Sequence, residues 1–189
     1  MFEGKKVKLR SFELSDLDSI MENWNKIHLR RELGPVVPHS REEREAWIRK
    51  TWEDRQKGLA YAFAIEEIAS GNFLGHASLN SVSKINRKAS VSIAIYDEKN
   101  RGKGFGTDAL RVLLKIGFSY LNLHRIGLNV FNTNPRAHTV YEKVGFKRVG
   151  EHRHTDFVNG RYVNDIVMDI LEDEWRALNK ETGKKSTNK

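Results

Sequence analysis

Residues 88–109, KASVSIAIYDEKNRGKGFGTDA, restrict the fold more than any other part of the chain. Ser90, Val91, Ser92, Ile93, Ala94, Ile95 and Tyr96 alternate small polar with β-branched residues and then turn apolar, a pattern that predicts a strand. A charged loop covers residues 97–101. Gly102, Gly104 and Gly106 then take alternate positions, so the backbone can turn tightly and bring its N–H groups close to a ligand. A helix is expected from about Thr107. Its first N–H groups lack an intrahelical acceptor and sit at the positive end of the helix dipole. Strand, glycine loop and helix N-terminus together hold a phosphate, so the ligand is expected to carry phosphates.

The rest of the chain supplies a setting for this loop. Residues 5–12 alternate and predict a first strand. Ser15 followed by Asp18 resembles a capping box and opens an amphipathic helix through Leu17, Ile20, Met21 and Trp24. Gly34, Pro35 and Pro38 break residues 27–39 into a loop or interrupted helix. Ser40 with Glu43 caps a second helix that Gly58 ends. Residues 60–68 and 73–82 form a hairpin, and residues 125–131 a further strand. Asn132, Thr133, Asn134 and Pro135 start a short helix carrying Tyr141. Residues 146–158 and 161–170 are long strands about the two-residue turn Asn159-Gly160. A final helix covers 171–178. This order predicts an α+β fold: a mixed, mostly antiparallel sheet flanked by helices, with one β-α-β unit holding the loop.

The 189 residues suit one domain, assigned to 1–178, with 179–189 a basic tail expected to be disordered. The absence of cysteine removes disulfides, thiolate catalysis and cysteine zinc sites, and no metal is expected. Residues 1–10 show no cleavage pattern, and no run reaches the roughly 18 apolar residues of a membrane span. A cytoplasmic protein with no membrane partner is expected. The net charge of +8 attracts nucleic acid, acidic peptide or a phosphorylated cofactor. Nucleic acid is disfavoured, because the basic and aromatic alternation of an RNA-binding sheet is missing.

Taken alone, the loop excludes several phosphate binders. Gly106 is followed by Thr107-Asp108, not by the Lys-Ser/Thr of a P-loop. The spacing is G-x-G-x-G rather than the dinucleotide-binding G-x-G-x-x-G. His124-Arg125-Ile126 lacks the aspartate of a kinase catalytic loop. A second stretch, NTNPRAHTVYEKVGF at 132–146, narrows the choice. Together with Arg101-x-x-Gly104-x-Gly106 it resembles the GNAT superfamily of acyl-CoA-dependent N-acetyltransferases, over about residues 5–170, and most nearly the RimJ/RimL-type branch. That resemblance implies acetyl-CoA as acetyl donor. Arg101, Gly102, Lys103, Gly104, Phe105, Gly106 and Thr107 would hold its pyrophosphate. Ile93, Ala94 and Ile95 would pair their backbone with the pantetheine arm, Asn134 would bind the same arm, and Tyr141 would stand beside the thioester sulfur.

The chemistry suits these parts. Attack of a neutral amine on a thioester builds negative charge on the carbonyl oxygen and then on sulfur, and fixed donors at those points lower the barrier. A strand N–H near Ile93 or Ile95 can serve the oxygen, and Tyr141 the sulfur. Full proton transfer from a phenol to a thiolate is uphill by about 2 kcal/mol, so hydrogen bonding counts as much as transfer. Asn134 is also a good helix N-cap before Pro135.

Many relatives carry a glutamate base where this chain has Ser90. Water, His76 or Glu66 are the substitutes the sequence offers. Removing a proton from a lysine-type amine at pH 7 costs about 4.6 kcal/mol, against about 1 to 1.4 for an α-amine. The expected acceptor is therefore a protein N-terminal α-amine, of the ribosomal-protein type. A small-molecule amine, polyamine or amino acid is the alternative, and a non-catalytic acyl-CoA-binding regulator comes from another class. By resemblance, the acceptor pocket draws on Arg30, Arg31, Glu32, His39, Lys84, Arg87, His152 and His154. These positive charges disfavour a polycation unless Glu32 and Asp156 line the path. A homodimer is left open.

Overall fold

Period-two alternation in the sequence becomes seven strands. A computed structural model describes residues 2–33 and 36–186, and the side chains of all these except Glu32 and residues 181–186. The expected breakers Gly34 and Pro35 lie outside the described residues, as do 187–189. The chain forms two compact units, Met1–Val82 with Val91–Leu113, and Ser83–Ser90 with Leu114–Lys189.

In the first unit the strand order is β1 (Val7–Arg10), β2 (Tyr61–Glu67), β3 (Phe73–Ser83) and β4 (Lys88–Ile95), counted there from Val91. β1 pairs antiparallel with β2, and β2 with β3. The register sets Ala62 opposite Ser78 and Ala64 opposite His76, so these four side chains share a face. Helices α1 (Leu17–Trp24), α2 (Ile27–Leu33) and α3 (Arg41–Lys57) supply the rest of the core on that face. Phe12, Ile20, Trp24, Leu29 and Ile48 pack with Ala62, Ala64, Ala94 and Tyr96. On the sheet side this core is built largely of alanines, so the large side chains come from the helices.

Helix starts follow local chemistry. Ser40 Oγ accepts the Glu43 N–H at 3.2 Å, and the Glu43 carboxylate accepts the Ser40 N–H at 2.6 Å. This reciprocal box is the one expected, and Gly58 closes α3 in the left-handed region at φ 70°. At α1 the box lies two residues earlier than expected. Glu13 and Asp16 form it, around a 3-10 turn at Leu14–Asp16. The cause is Arg10, whose Nη1 and Nη2 hold the Asp16 carboxylate at 2.8 and 2.6 Å. Within residues 27–39, Ile27–Leu33 is a helix, held by the buried Leu29 and Arg30.

The second unit begins with Lys88, Ala89 and Ser90 of β4. They pair in parallel with Arg125, Ile126 and Gly127 of β5 (Arg125–Phe131). β5 then pairs antiparallel with β7 (Arg161–Leu171), and β7 with β6 (Lys147–Val158). Asn159 and Gly160 both have positive φ, 52° and 77°, as a two-residue hairpin turn requires. Helix α5 covers Pro135–Val144. The last helix, α6, spans Glu172–Ser186 and so enters the basic stretch from 179, of which 187–189 lie outside the described residues. Trp175 anchors it on Phe118, with ring centres 5.2 Å apart. Among the described residues no helix is long and apolar enough to cross a membrane.

Gly75 marks a close approach between β3 and β4. Its φ is +152°, and a Cβ there would lie 2.0 Å from the Ala94 carbonyl oxygen. Gly75→Ala is therefore expected to cost roughly 3 kcal/mol in stability, as overpacking and backbone strain combine. Urea unfolding checks this; a midpoint equal to the parent's would contradict the close approach.

Candidate functional site

The glycine loop and the start of α4 form the first half of the site. α4 covers Phe105–Lys115, beginning two residues before the expected start. Its first backbone bond runs from the Asp108 N–H to the Gly104 carbonyl at 3.0 Å. The N–H groups of Phe105, Gly106 and Thr107 precede that bond and have no intrahelical acceptor. Gly102 and Gly104 have φ of 77° and 88°. Gly102, Lys103 and Gly104 are exposed, whereas Phe105 is buried and roots the turn in the core. This is an exposed, cationic stretch of backbone ending on unpaired donors, the arrangement a pyrophosphate needs.

The structure brings the loop and strand β4 together. Arg101 Nε donates to the Ile95 carbonyl at 3.1 Å. Gly106 faces the other end of the contact, since a Cβ there would meet Ile93 Cδ1 and Ile95 Cγ1 at 3.9 Å. Ile93 and Ile95 are half-buried and Ala94 is buried among the core residues. Within the first unit β4 ends the strand order, so one backbone edge of Ile93, Ala94 and Ile95 has no partner strand there.

A residue not foreseen from the sequence fixes this half. Asp108, in the first turn of α4, is buried, and its Oδ2 accepts the N–H groups of Lys6 and Val7 at 2.7 and 3.1 Å. Lys6 Nζ also donates to the Lys103 carbonyl at 2.7 Å. The start of β1 thus grips both the glycine loop and the helix behind it. An aspartate in a first helical turn is common for dipole reasons alone, so its sequence carries little signal of this role.

Asn134 and Tyr141 lie on α5 in the second unit, two turns apart on one helix. Asn134 Oδ1 accepts the Ala137 N–H at 3.1 Å, so the oxygen serves as N-cap and the amide nitrogen is the atom left for a ligand. Tyr141 is 8% exposed, its ring edge-on to Phe146 at 5.7 Å. Its hydroxyl has no hydrogen-bond partner among the described residues. Burial pushes the phenol up to about 12, so it is protonated at neutral pH and able to donate.

Neither substitute base is suited to the task. His76 is buried, and its Nδ1 lies 3.1 Å from the Tyr96 hydroxyl. Burial, with the Arg44 charge, pushes it down to about 4. Glu66 is held by Lys8 at 2.7 Å and Arg10 at 2.5 Å. Burial pushes its carboxyl up, but hydrogen bonds from these two cations outweigh that and leave it below the usual range. Ser90 is half-buried, opposite Gly127 in the β4–β5 pair.

The expected acceptor residues are distributed over both compact units and differ in their surroundings. Arg87 is committed to the Asn122 carbonyl and to Glu172, both at 2.8 Å. His154 stacks on Tyr162, with centres 5.2 Å apart. Arg31, Lys84, His152 and Asp156 are exposed, and the Glu32 side chain lies outside the described residues. Arg30 alone is deeply buried, and His39 accepts from Trp24 Nε1 at 3.3 Å. Among the described residues no group of three or more histidine, aspartate or glutamate side chains could hold a metal.

The chain is similar to known proteins. The model of the Acetyltransferase (GNAT) domain matches residues 6–147. Spermidine N(1)-acetyltransferase of Escherichia coli K12 is 35% identical over 121 residues, 64% of this chain and 63% of that enzyme. The chain thus spans just under two thirds of that relative's length. The putative ribosomal N-acetyltransferase YdaF of Bacillus subtilis is 32% identical over 107 residues, 57% of this chain and 58% of that protein. A crystal structure of spermidine N-acetyltransferase from Vibrio cholerae with CoA and spermine superposes at a TM-score of 0.80. It is 29% identical and covers 89% of this chain and 97% of that one.

Gly104→Ala tests the loop. A Cβ there meets only Lys6 Nζ, at 3.7 Å, but the φ of +88° is strained for alanine by about 1–2 kcal/mol. Coenzyme A affinity is expected to fall about tenfold or more while the fold persists, as calorimetric titration and circular dichroism would record. Unchanged affinity would exclude the loop as a pyrophosphate site.

Proposed function

Because the chain belongs to the GNAT acetyltransferase family, we propose that it moves an acetyl group from acetyl-CoA to a primary amine by direct attack. One observation carries this reading: the unpaired N–H groups that open α4, next to the strand edge of Ile93, Ala94 and Ile95. In this proposal the amides of residues 102–107 and Arg101 take the pyrophosphate. The β4 backbone and Asn134 take the pantetheine arm. A β4 N–H near Ile93 or Ile95 stabilises the carbonyl oxygen, and the Tyr141 hydroxyl donates to the departing sulfur. The family match includes residues of both compact units, which supports treating 1–178 as one acetyltransferase domain.

For the acceptor, similarity to spermidine acetyltransferases favours a polyamine over the protein N-terminus that the sequence alone suggested. The protein N-terminus stays as a second reading on a specific ground. The chain offers no strong base at Ser90, and an α-amine loses its proton more readily than an alkyl amine. Similarity to a putative ribosomal N-acetyltransferase supports that reading and the RimJ/RimL-type branch with it. Thiol release from acetyl-CoA over polyamines, amino acids and peptides decides between them. Fastest turnover with spermidine is the expected result; fastest turnover with peptide N-termini would reverse the order, and none with any amine would leave a coenzyme-binding regulator.

Two kinetic outcomes follow. Tyr141→Phe should lower kcat by one to a few powers of ten with coenzyme A affinity little changed, since the lost donor acts at the departing sulfur. An unaltered kcat would remove Tyr141 from the chemistry. With no side chain poised to take the proton, kcat/KM should rise about tenfold per pH unit until the acceptor amine is itself deprotonated. Tyr141, pushed up to about 12, should cause no fall across pH 6–10. A plateau between pH 6 and 7 with an alkyl amine would instead reveal an enzyme base.

A further inference from the structure

We infer that Lys6, the residue just ahead of β1, is a further ligand of the coenzyme A pyrophosphate. The assignment rests on the acetyl-transfer reading above and adds to it a residue from a distant part of the chain. Lys6 Nζ donates to the Lys103 carbonyl at 2.7 Å. The same atom lies 3.7 Å from where a Cβ on Gly104 would stand. The ammonium is thus seated against the middle of the glycine loop, beside the residues that lead into the first turn of α4.

The backbone of Lys6 is fixed on both sides. Its N–H donates to Asp108 Oδ2 at 2.7 Å, and its carbonyl accepts the Ile68 N–H at 2.9 Å. A turn closes around it, with the Gly4 N–H on the Val7 carbonyl at 2.8 Å. The Cα is therefore held relative to the first turn of α4. Only the side-chain torsions remain to be ordered when the ammonium meets an anion.

The charge has no counter-ion in the protein. Lys6 is exposed and makes no ion pair with any described residue. Lys8 and Lys50, in the same unit, are paired with Glu66 at 2.7 Å and Asp54 at 3.0 Å. Asp108 gives Oδ2 to two backbone N–H groups and forms no ion pair among the described residues. The loop's own cations are engaged locally: Arg101 Nε donates to the Ile95 carbonyl, and Lys103 Nζ lies 3.4 Å from Asn100 Oδ1.

An ammonium carries three N–H donors, and the Lys103 carbonyl takes one. Two donors and the full charge remain for a phosphate oxygen, which lysine binds as a point charge. The contact to Lys103 helps in a second way. A bare carbonyl oxygen at the rim of a phosphate site repels an anion, and the ammonium seated on this one reverses the sign of the local field.

Calorimetric titration with coenzyme A and with dephospho-coenzyme A, which keeps the pyrophosphate and lacks the 3′-phosphate, reads the contact. Lys6→Met removes the charge and keeps most of the stem, whereas Lys6→Arg keeps the charge. The Lys6 Nζ signal of the isotope-labelled parent, identified by its absence from the Lys6→Arg spectrum, reports whether the ammonium itself meets the ligand. A residue that only props the loop would leave that signal unmoved.

Lys6→Met should weaken both ligands by about three- to tenfold, and Lys6→Arg should retain most of the affinity. The Nζ signal should shift with either ligand at constant ionic strength. Loss confined to coenzyme A would place the contact on the 3′-phosphate and overturn the pyrophosphate assignment. Unchanged affinity in Lys6→Met, or weaker binding with an unmoved Nζ signal, overturns the contact. Should Lys6→Met not fold, the signal of the parent decides alone. A parent chain that binds neither ligand rejects the coenzyme reading itself and the role of Lys6 with it. Binding without thiol release from acetyl-CoA over any amine rejects acetyl transfer and leaves the Lys6 contact in place.

Discussion

The carboxylate of Asp108 is the contact on which the geometry of the glycine loop depends. It accepts two backbone N–H groups from a strand about a hundred residues away in sequence, and both bonds are charge-assisted. Each such bond is worth about 1.5–3 kcal/mol where the partners are shielded from water. Its consequence is directional. With Asp108 fixed, the first turn of α4 cannot rotate, and the amides of Phe105, Gly106 and Thr107 stay at the exposed end of the helix. Gly4 belongs to the same device, since a Cβ there would lie 2.4 Å from the carboxylate. Lys6 completes it by holding the Lys103 carbonyl.

Much of this was legible in the sequence, for reasons that can be named. Strand β5 has the expected limits because the apolar alternation Ile126, Leu128, Val130 and the flanking polar residues mark both ends. The Ser40–Glu43 box and the Asn159-Gly160 turn were readable because their chemistry is local. Where tertiary contacts intervene, the sequence is a weaker guide. Arg10 reaching Asp16 moved the α1 box upstream of Ser15, and Phe105 entering the core drew the start of α4 back from Thr107. The packing of Trp175 against Phe118 carries α6 beyond Leu178. Asp108 was invisible for the same reason. It is an ordinary charged residue in a first helical turn until its neighbours are known.

The acceptor side is where sequence and similarity pull apart. Polyamines are polycations, and the first unit buries two arginines on the helix-covered face of its sheet. Of the two substitute bases weighed, neither His76 nor Glu66 suits the task, so in the proposed reaction the acceptor's proton is lost to solvent. His76 and Glu66 are occupied for structural reasons, one as a neutral buried ring and the other as the anion of an ion-pair cluster.

The central claim is that the backbone from Gly102 to Thr107 receives the pyrophosphate of coenzyme A. An amide-resolved NMR titration of the isotope-labelled chain with coenzyme A addresses it most directly. The amides of Gly104, Phe105, Gly106 and Thr107 should show the largest shifts, saturating together with those of Ile93 and Ile95. Coenzyme A binding that leaves these amides unmoved while others shift would contradict the claim.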